Sequence, residues 1–189
     1  ADVPGSSNVD DEARAWVRQL GAAGWLRYTV PAEYGGIHDA LEVRSLCLIR
    51  EALAYRSGIG DFAFAMQGLG TGSISLFGSD QQKQRYLPPV ARGDRIAAFA
   101  ISEKDAGSDV SAMATAATHD GDAWVINGEK AWISNGGIAH HYVVFARLPE
   151  HGERAFGAII VDADVPDVRV SERVPWNAYA NPFRRGLQA

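Results

Sequence analysis

From Asp10 to Gly24 the apolar positions Ala13, Trp16, Val17, Leu20 and Ala23 return at spacings of three and four, the repeat of a helix with one buried face. Asn8 and Asp11 are placed as a helix start and Gly24 as a stop. Pro31-Ala32-Glu33-Tyr34-Gly35-Gly36 reads as a turn-rich link. Asp39 followed by Glu42 resembles a capping box for a second helix, Ala40 to Tyr55, whose dense apolar face ends at Ser57-Gly58. Asp61 to Phe77 is apolar but interrupted by Gly68, Gly70 and Gly72, which predicts a third helix with a close backbone contact, stopped by Gly78. Ser79 with Gln82 opens a fourth, short helix, expected to stop before Pro88-Pro89.

After Gly93 the period changes to two. Arg95 to Ile101 is a short apolar run bounded by loops, as strands are. Ala123 to Ile126, Asn127-Gly128 and Glu129 to Ser134 predict a hairpin, because Asn-Gly suits the two positive-φ positions of a type I′ turn. His141 to Arg147 and Arg154 to Val161 are two further strands around a Pro149–Gly152 turn, and Val168 to Val170 is another. Four helices followed by five or six mostly antiparallel strands make an α+β chain, or two small domains joined near Gly93.

Composition narrows the function. With 18 Lys+Arg against 23 Asp+Glu, a net charge of −5 and no block of like charges, the chain lacks the footprint of a nucleic-acid binder. One cysteine, Cys47, excludes a disulfide framework and a Cys-cluster zinc site; on its apolar helix face it reads as a small buried hydrophobe. No apolar run is long enough for a membrane span, and the polar N-terminus does not resemble a signal peptide, so a cytoplasmic protein is expected.

Several motifs fail. Gly68-Leu69-Gly70-Thr71-Gly72-Ser73 ends in Ser where a dinucleotide fingerprint needs Gly, and it sits in a helical pattern. His140-His141 would point to opposite strand faces, so no metal is expected there. Two segments remain. Ala100-Ile101-Ser102-Glu103-Lys104-Asp105-Ala106-Gly107-Ser108-Asp109 offers hydroxyls and backbone N–H groups at a strand's end, suited to a polar ligand edge. In Glu129-Lys130-Ala131-Trp132-Ile133-Ser134-Asn135, strict alternation puts Lys130, Trp132 and Ser134 on one face and Ala131 and Ile133 on the apolar interior face. A Trp beside a hydroxyl is a wall for a flat heteroaromatic ring, and Trp132 is expected to be partly exposed. Each segment alone is also compatible with an ordinary turn and an ordinary buried Trp.

Taken together, and with Pro31 to Gly36, Gly78 to Lys83, Tyr86-Leu87-Pro88 and Gly121-Asp122 in order, these segments resemble the flavin-dependent acyl-CoA dehydrogenases from about Asp10 to about Val170. The first matches the family's signature loop through Ala112, and the second its Asn-Gly-x-Lys-x-Trp-Ile-Ser/Thr-Asn segment. The resemblance implies an N-terminal helical domain over 1–93, its opening helix missing. It further implies a middle, mostly antiparallel β-barrel domain over 94–189, atypical or truncated after about 174. The family's C-terminal four-helix bundle is not represented.

The resemblance also implies FAD. Phe99, Ile101 and Ser102 would line its pyrimidine side, with the Ser102 hydroxyl near N1 and O2. Trp132 would pack on the ring system, Ser134 would donate to N5, and Gly107 would border the pyrophosphate. Ser108 would border the channel of an acyl-CoA or acyl-carrier substrate. The implied reaction is α,β-dehydrogenation of the thioester, with electrons passed to an electron-transfer flavoprotein and a homo-oligomer at full length. The family's catalytic base belongs to the bundle, so no catalytic residue is assigned here; Glu103 and Asp109 belong to the signature loop. Pro175 to Arg185 does not match the family's closing strands, which points to an unusual barrel edge or, preferably, a piece of a longer protein. Two alternatives stay open: a flavin oxidase, monooxygenase or carrier-thioester dehydrogenase on the same fold, and a non-catalytic binding module.

Overall fold

The computed structural model describes residues 9–173 and 184–188. The chain divides into two compact units, Ala1–Ala97 and Ala98–Ala189.

In the first unit, α1 (Val9–Ala22) buries Ala13, Val17 and Leu20, the three-and-four stripe of its sequence. Two 3-10 turns, Trp25–Thr29 and Ala32–Tyr34, carry the link. α2 (Val43–Arg56) begins three residues later than its pattern suggests. Its cap is Glu42 and not Asp39: the Glu42 carboxylate accepts from the Arg44 and Ser45 N–H groups at 3.2 and 2.7 Å. Of α2 only Ile49 is buried. Val43, Leu48 and Tyr55 are 68%, 59% and 89% exposed, and Cys47 is exposed as well, not the buried hydrophobe its neighbours suggest. An apolar stripe shows that a helix can be covered; the covering element must come from elsewhere.

α3 (Gly58–Phe77) is the central helix and contacts α1, α2 and the next helix. It runs unbroken through Gly68, Gly70 and Gly72, because packing around it overrides the low propensity of glycine. Its buried Gln67 donates to the Arg95 carbonyl at 2.8 Å and accepts from the Ala97 N–H at 3.0 Å, clamping that extended segment. α4 (Asp80–Ala91) starts with the predicted box: the Gln82 N–H donates to Ser79 Oγ at 3.3 Å, and the Ser79 N–H to Gln82 Oε1 at 2.9 Å. It does not stop before Pro88-Pro89 but carries both in its last turn. Their carbonyls accept from Arg92, Asp94 and Arg95, and Leu87, Val90 and Ala91 are buried, which offsets the missing N–H donors.

Among the described residues there are eight strands, all in the second unit but for the first residue of β1: β1 (Ala97–Ala100), β2 (Ala116–Asp120), β3 (Ala123–Asn127), β4 (Glu129–Ser134), β5 (His141–Arg147), β6 (Phe156–Asp162), β7 (Arg169–Arg173) and β8 (Arg184–Gln188). β5 is the spine, with His141, Tyr142, Val143, Val144 and Ala146 all buried. Such a run, inside on both faces, is why its sequence is continuously apolar. The strands form a five-stranded sheet, in order β1-β5-β2-β3 with β6 on β5, and a three-stranded sheet, β4-β8-β7. Among the described residues these are two open sheets and not one closed barrel, and the first is mixed: β2 and β5 pair in parallel at Ala116 and Arg147, while β2–β3, β5–β6, β4–β8 and β7–β8 are antiparallel.

The predicted β3–β4 hairpin does not form. β3 pairs with β2 through the turn at Gly121-Asp122, where Gly121 has φ 62, and β4 pairs with β8 in the other sheet. Asn127 has no positive φ, so the type I′ condition fails. Gly128, at φ 156, is a corner where the chain changes sheets, close against Thr115. The unmatched stretch from Pro175 falls largely outside the described residues; its last two residues begin β8.

Candidate functional site

β1 ends at Ala100, and the chain continues as Ile101-Ser102-Glu103. Glu103 and Ala106 exchange backbone hydrogen bonds of 2.9 and 3.3 Å, which pinch off a tight turn at Lys104-Asp105. The Glu103 side chain is buried; the residue is 6% exposed. Its carboxylate accepts from the Ala114 N–H at 2.6 Å, the Thr115 N–H at 3.0 Å and Lys130 Nζ at 2.7 Å. Burial pushes this carboxyl up, but the hydrogen bonds from Lys130, Thr115 and Ala114 outweigh it and hold the group at about 2. A carboxylate so stabilised is a poor proton acceptor. Asp109 is occupied as well: it caps the 3-10 turn Val110–Ala112 by accepting from the Ser111 N–H at 3.0 Å, and its hydrogen bonds to Ser111 hold its pKa down.

β4 supplies the second half. Lys130 is 2% exposed, and its ammonium donates to Glu103 and, at 3.1 Å, to the Ile101 carbonyl. Burial lowers its pKa while Glu103 pulls the other way. The Ala131 N–H donates to the Ser102 carbonyl at 2.8 Å. Strict alternation then breaks. Between Lys130 and Ile133 the partner strand advances only from Leu187 to Arg185, so β4 carries one extra residue, a bulge. Trp132 lies in that bulge at φ 57. Lys130 and Ile133 are both buried, and Trp132 is 41% exposed. Lys130 therefore does not share an outward face with Trp132, as period two suggests; the inserted residue moves it inside. Ile133 is inside and Trp132 partly exposed, as the sequence suggests.

The lacing of 101–103 to 130–131 brings Ile101 and Ser102 next to the segment that carries Trp132 and Ser134. Ile101, Ser102 and Ser134 are half-buried. Phe99 is half-buried against Phe145, ring centroids 4.8 Å apart. Gly107 and Ser108 are exposed further along the loop. The buried Glu103–Lys130 pair is what sequence reasoning missed. Its signal was an acid in one motif and a single buried-strand lysine in the other, but reach and burial are three-dimensional quantities. His140 is exposed and His141 buried, on opposite sides of the chain, and among the described residues no three His, Cys, Asp or Glu gather as metal ligands. Among the described residues no helix is long and apolar enough to cross a membrane. The edge thus presents a half-exposed indole, two half-buried serines and an exposed loop at Gly107-Ser108, residue types suited to a flat polar ring.

Residues 3–94 match the family model "acyl-CoA dehydrogenase, N-terminal domain", and residues 98–182 match "acyl-CoA dehydrogenase, middle domain". The chain is 36% identical over 166 residues to a probable acyl-CoA dehydrogenase of Mycobacterium leprae, an alignment covering 86% of this chain and 42% of that relative. Among solved structures, an acyl-CoA dehydrogenase complexed with FAD from Bacillus anthracis superposes with a TM-score of 0.83 at 33% identity, covering 94% of this chain and 30% of that one. A prolyl acyl carrier protein oxidase also superposes with a TM-score of 0.83, at 26% identity, covering 97% and 50%. The chain spans less than half the length of the curated relatives it matches.

Proposed function

Because the chain belongs to the acyl-CoA dehydrogenase family, we propose that it forms the helical and middle parts of a larger flavoprotein that dehydrogenates an acyl-CoA thioester between its α and β carbons. FAD fits the residues present. Trp132 offers a half-exposed indole as a wall, and the hydroxyls of Ser102 and Ser134 are available on laced segments. The observation that carries the reading is this lacing: the Ala131 N–H to Ser102 O bond joins the two motifs beside an outward-turned Trp132.

When bound, FAD would supply the acceptor for the hydride that leaves the β carbon. Ser102 and Ser134 would hold the polar edge of the ring, their hydroxyls able to donate to negative charge that develops there. Phe99, Ile101 and Trp132 would line the ring and keep water from it. Gly107, without a side chain, lets the loop approach a pyrophosphate, and Ser108 lines the thioester's path. Glu103 and Asp109 are both engaged by hydrogen bonds, so neither is assigned as the base that removes the α-proton; the family resemblance implies that this carboxylate belongs to the C-terminal bundle of the full-length protein. An electron-transfer flavoprotein is the acceptor in this reading.

Likeness to a prolyl acyl carrier protein oxidase, at the same TM-score as to the dehydrogenase, supports a second reading in which the thioester is borne on a carrier protein and oxygen reoxidises the flavin. Mixing the full-length flavoprotein without oxygen with acyl-CoA thioesters and, separately, with carrier-bound thioesters, then admitting oxygen, separates the two. Bleaching of the flavin absorbance without later oxygen uptake supports the dehydrogenase. Bleaching only with carrier-bound thioesters, followed by oxygen uptake, supports the oxidase. No bleaching with either class of thioester refutes both.

A further inference from the structure

We propose that Lys130 and Glu103 are positioning residues: their buried ion pair sets the β4 bulge that turns Trp132 outward and holds Ser102 beside it. The inference rests on the reading that this edge takes FAD. Three bonds tie the two motifs together, from Lys130 Nζ to Glu103 Oε1 at 2.7 Å, from Lys130 Nζ to Ile101 O at 3.1 Å and from Ala131 N–H to Ser102 O at 2.8 Å. The lysine thus grips Ser102 from both sides, through the residue before it and the residue after it. On the other strand the lysine's inward reach is what the bulge accommodates. Lys130 and Ile133 are both buried, and the register shift between them lets these residues, three positions apart, share one face, where strict alternation would set them on opposite faces.

A merely stabilising role explains the pair poorly. Both charges are withdrawn from water, and well-packed apolar residues of similar volume usually serve stability as well or better. What the ions supply is direction: a carboxylate fixed by Ala114 and Thr115 gives the ammonium one end point, and the strand must kink to let it arrive. Trp132 at φ 57, a conformation that side-chain-bearing residues rarely adopt, is the local consequence.

The test uses the full-length protein and the neutral pair Lys130→Met/Glu103→Gln, with Lys130→Arg as the charge-retaining variant. Hydrogen exchange reads the lacing without cofactor. In the neutral pair the Ala131 amide is expected to exchange roughly tenfold faster or more, while the β5 amides of Val143 and Val144 keep their protection. FAD titration and the visible circular dichroism of bound FAD read the consequence. Affinity is expected to fall about tenfold or more, with an altered dichroic band, because a small misplacement of binding groups has a large effect. Lys130→Arg is expected to recover part of both. The proposal is overturned if the exchange is unchanged, if exchange rises but FAD affinity and dichroism stay at wild type, or if every variant fails to fold. If the wild-type protein takes up no FAD, the flavoprotein reading itself falls, while the exchange arm still reports on the bulge.

Discussion

Replacing Gly128 with alanine tests whether Asn127-Gly128 is a corner between sheets or the tip of a hairpin. An added Cβ at Gly128 would stand 2.4 Å from Thr115 Oγ1, 2.6 Å from Thr115 Cα and 2.7 Å from Thr115 Cβ. Thr115 is 2% exposed; its N–H donates to Glu103 at 3.0 Å, and its carbonyl accepts from the Arg147 N–H at 2.8 Å, so it is held from two sides. Because one clash is with backbone, no rotamer change relieves it. Overpacking of this kind costs about 1–3 kcal/mol. The unfavourable φ of 156 adds about 1–3 kcal/mol. Gly121→Ala is the control: φ is 62 there, but nothing lies within 4 Å of the new Cβ. Its cost is therefore only the left-handed backbone, about 1–2 kcal/mol. Urea unfolding of the chain, followed by circular dichroism, should place the Gly128→Ala midpoint below that of Gly121→Ala. With slopes of about 1–3 kcal/mol per molar urea, the gap should be on the order of 1 M. A true Asn-Gly hairpin tip would cost the same at both glycines. Equal midpoints, or a lower one for Gly121→Ala, would refute the corner.

Three further outcomes are expected. Glu103 is held at about 2 against an ordinary 4.5, so its contribution is complete above 4.5 and lost as pH falls through about 2; acid unfolding of Glu103→Gln should lack that component, on the order of 3 kcal/mol, and an unchanged acid limb would contradict it. Trp132→Ala should cost the fold only about 1 kcal/mol, since the side chain is 41% exposed, yet weaken FAD retention in the full-length protein; Trp132→Gly should be the more stable of the two because φ 57 suits glycine, and the opposite order in thermal melts would count against the bulge. Ser134→Ala should slow flavin reduction more than it weakens FAD binding, at or below the lower end of the ~2.7–4 kcal/mol typical of a donor to developing charge; unchanged stopped-flow reduction would remove Ser134 from its assigned role.

Much of the fold is readable in short stretches of chain. The stripe of α1, the Ser79–Gln82 box of α4, the apolar run of β5 and the turn before β6 all depend on atoms a few residues apart, and each stands where its pattern places it. The two motifs that form the candidate site are likewise local words, legible by residue type and spacing. What those words do to each other is not local. Asn127-Gly128 is a good hairpin signal in isolation, yet β2 competes for β3 through Gly121, and β8, far along the chain at Arg184–Gln188, takes β4. Pro88 and Pro89 stay in a helix because buried neighbours and later N–H donors compensate for them. Cys47 and Leu48 are exposed because an apolar face states a need for cover without supplying it. Lys130 is the clearest case. By sequence a strand lysine marks the wet face, because a lone ammonium does not survive burial. Only the tertiary structure brings Glu103 within 2.7 Å, makes burial tolerable and bends the strand so that Trp132, and not Lys130, faces out. Side-chain alternation follows from the covalent chain; the position of a bulge follows from which distant charge the strand has to meet.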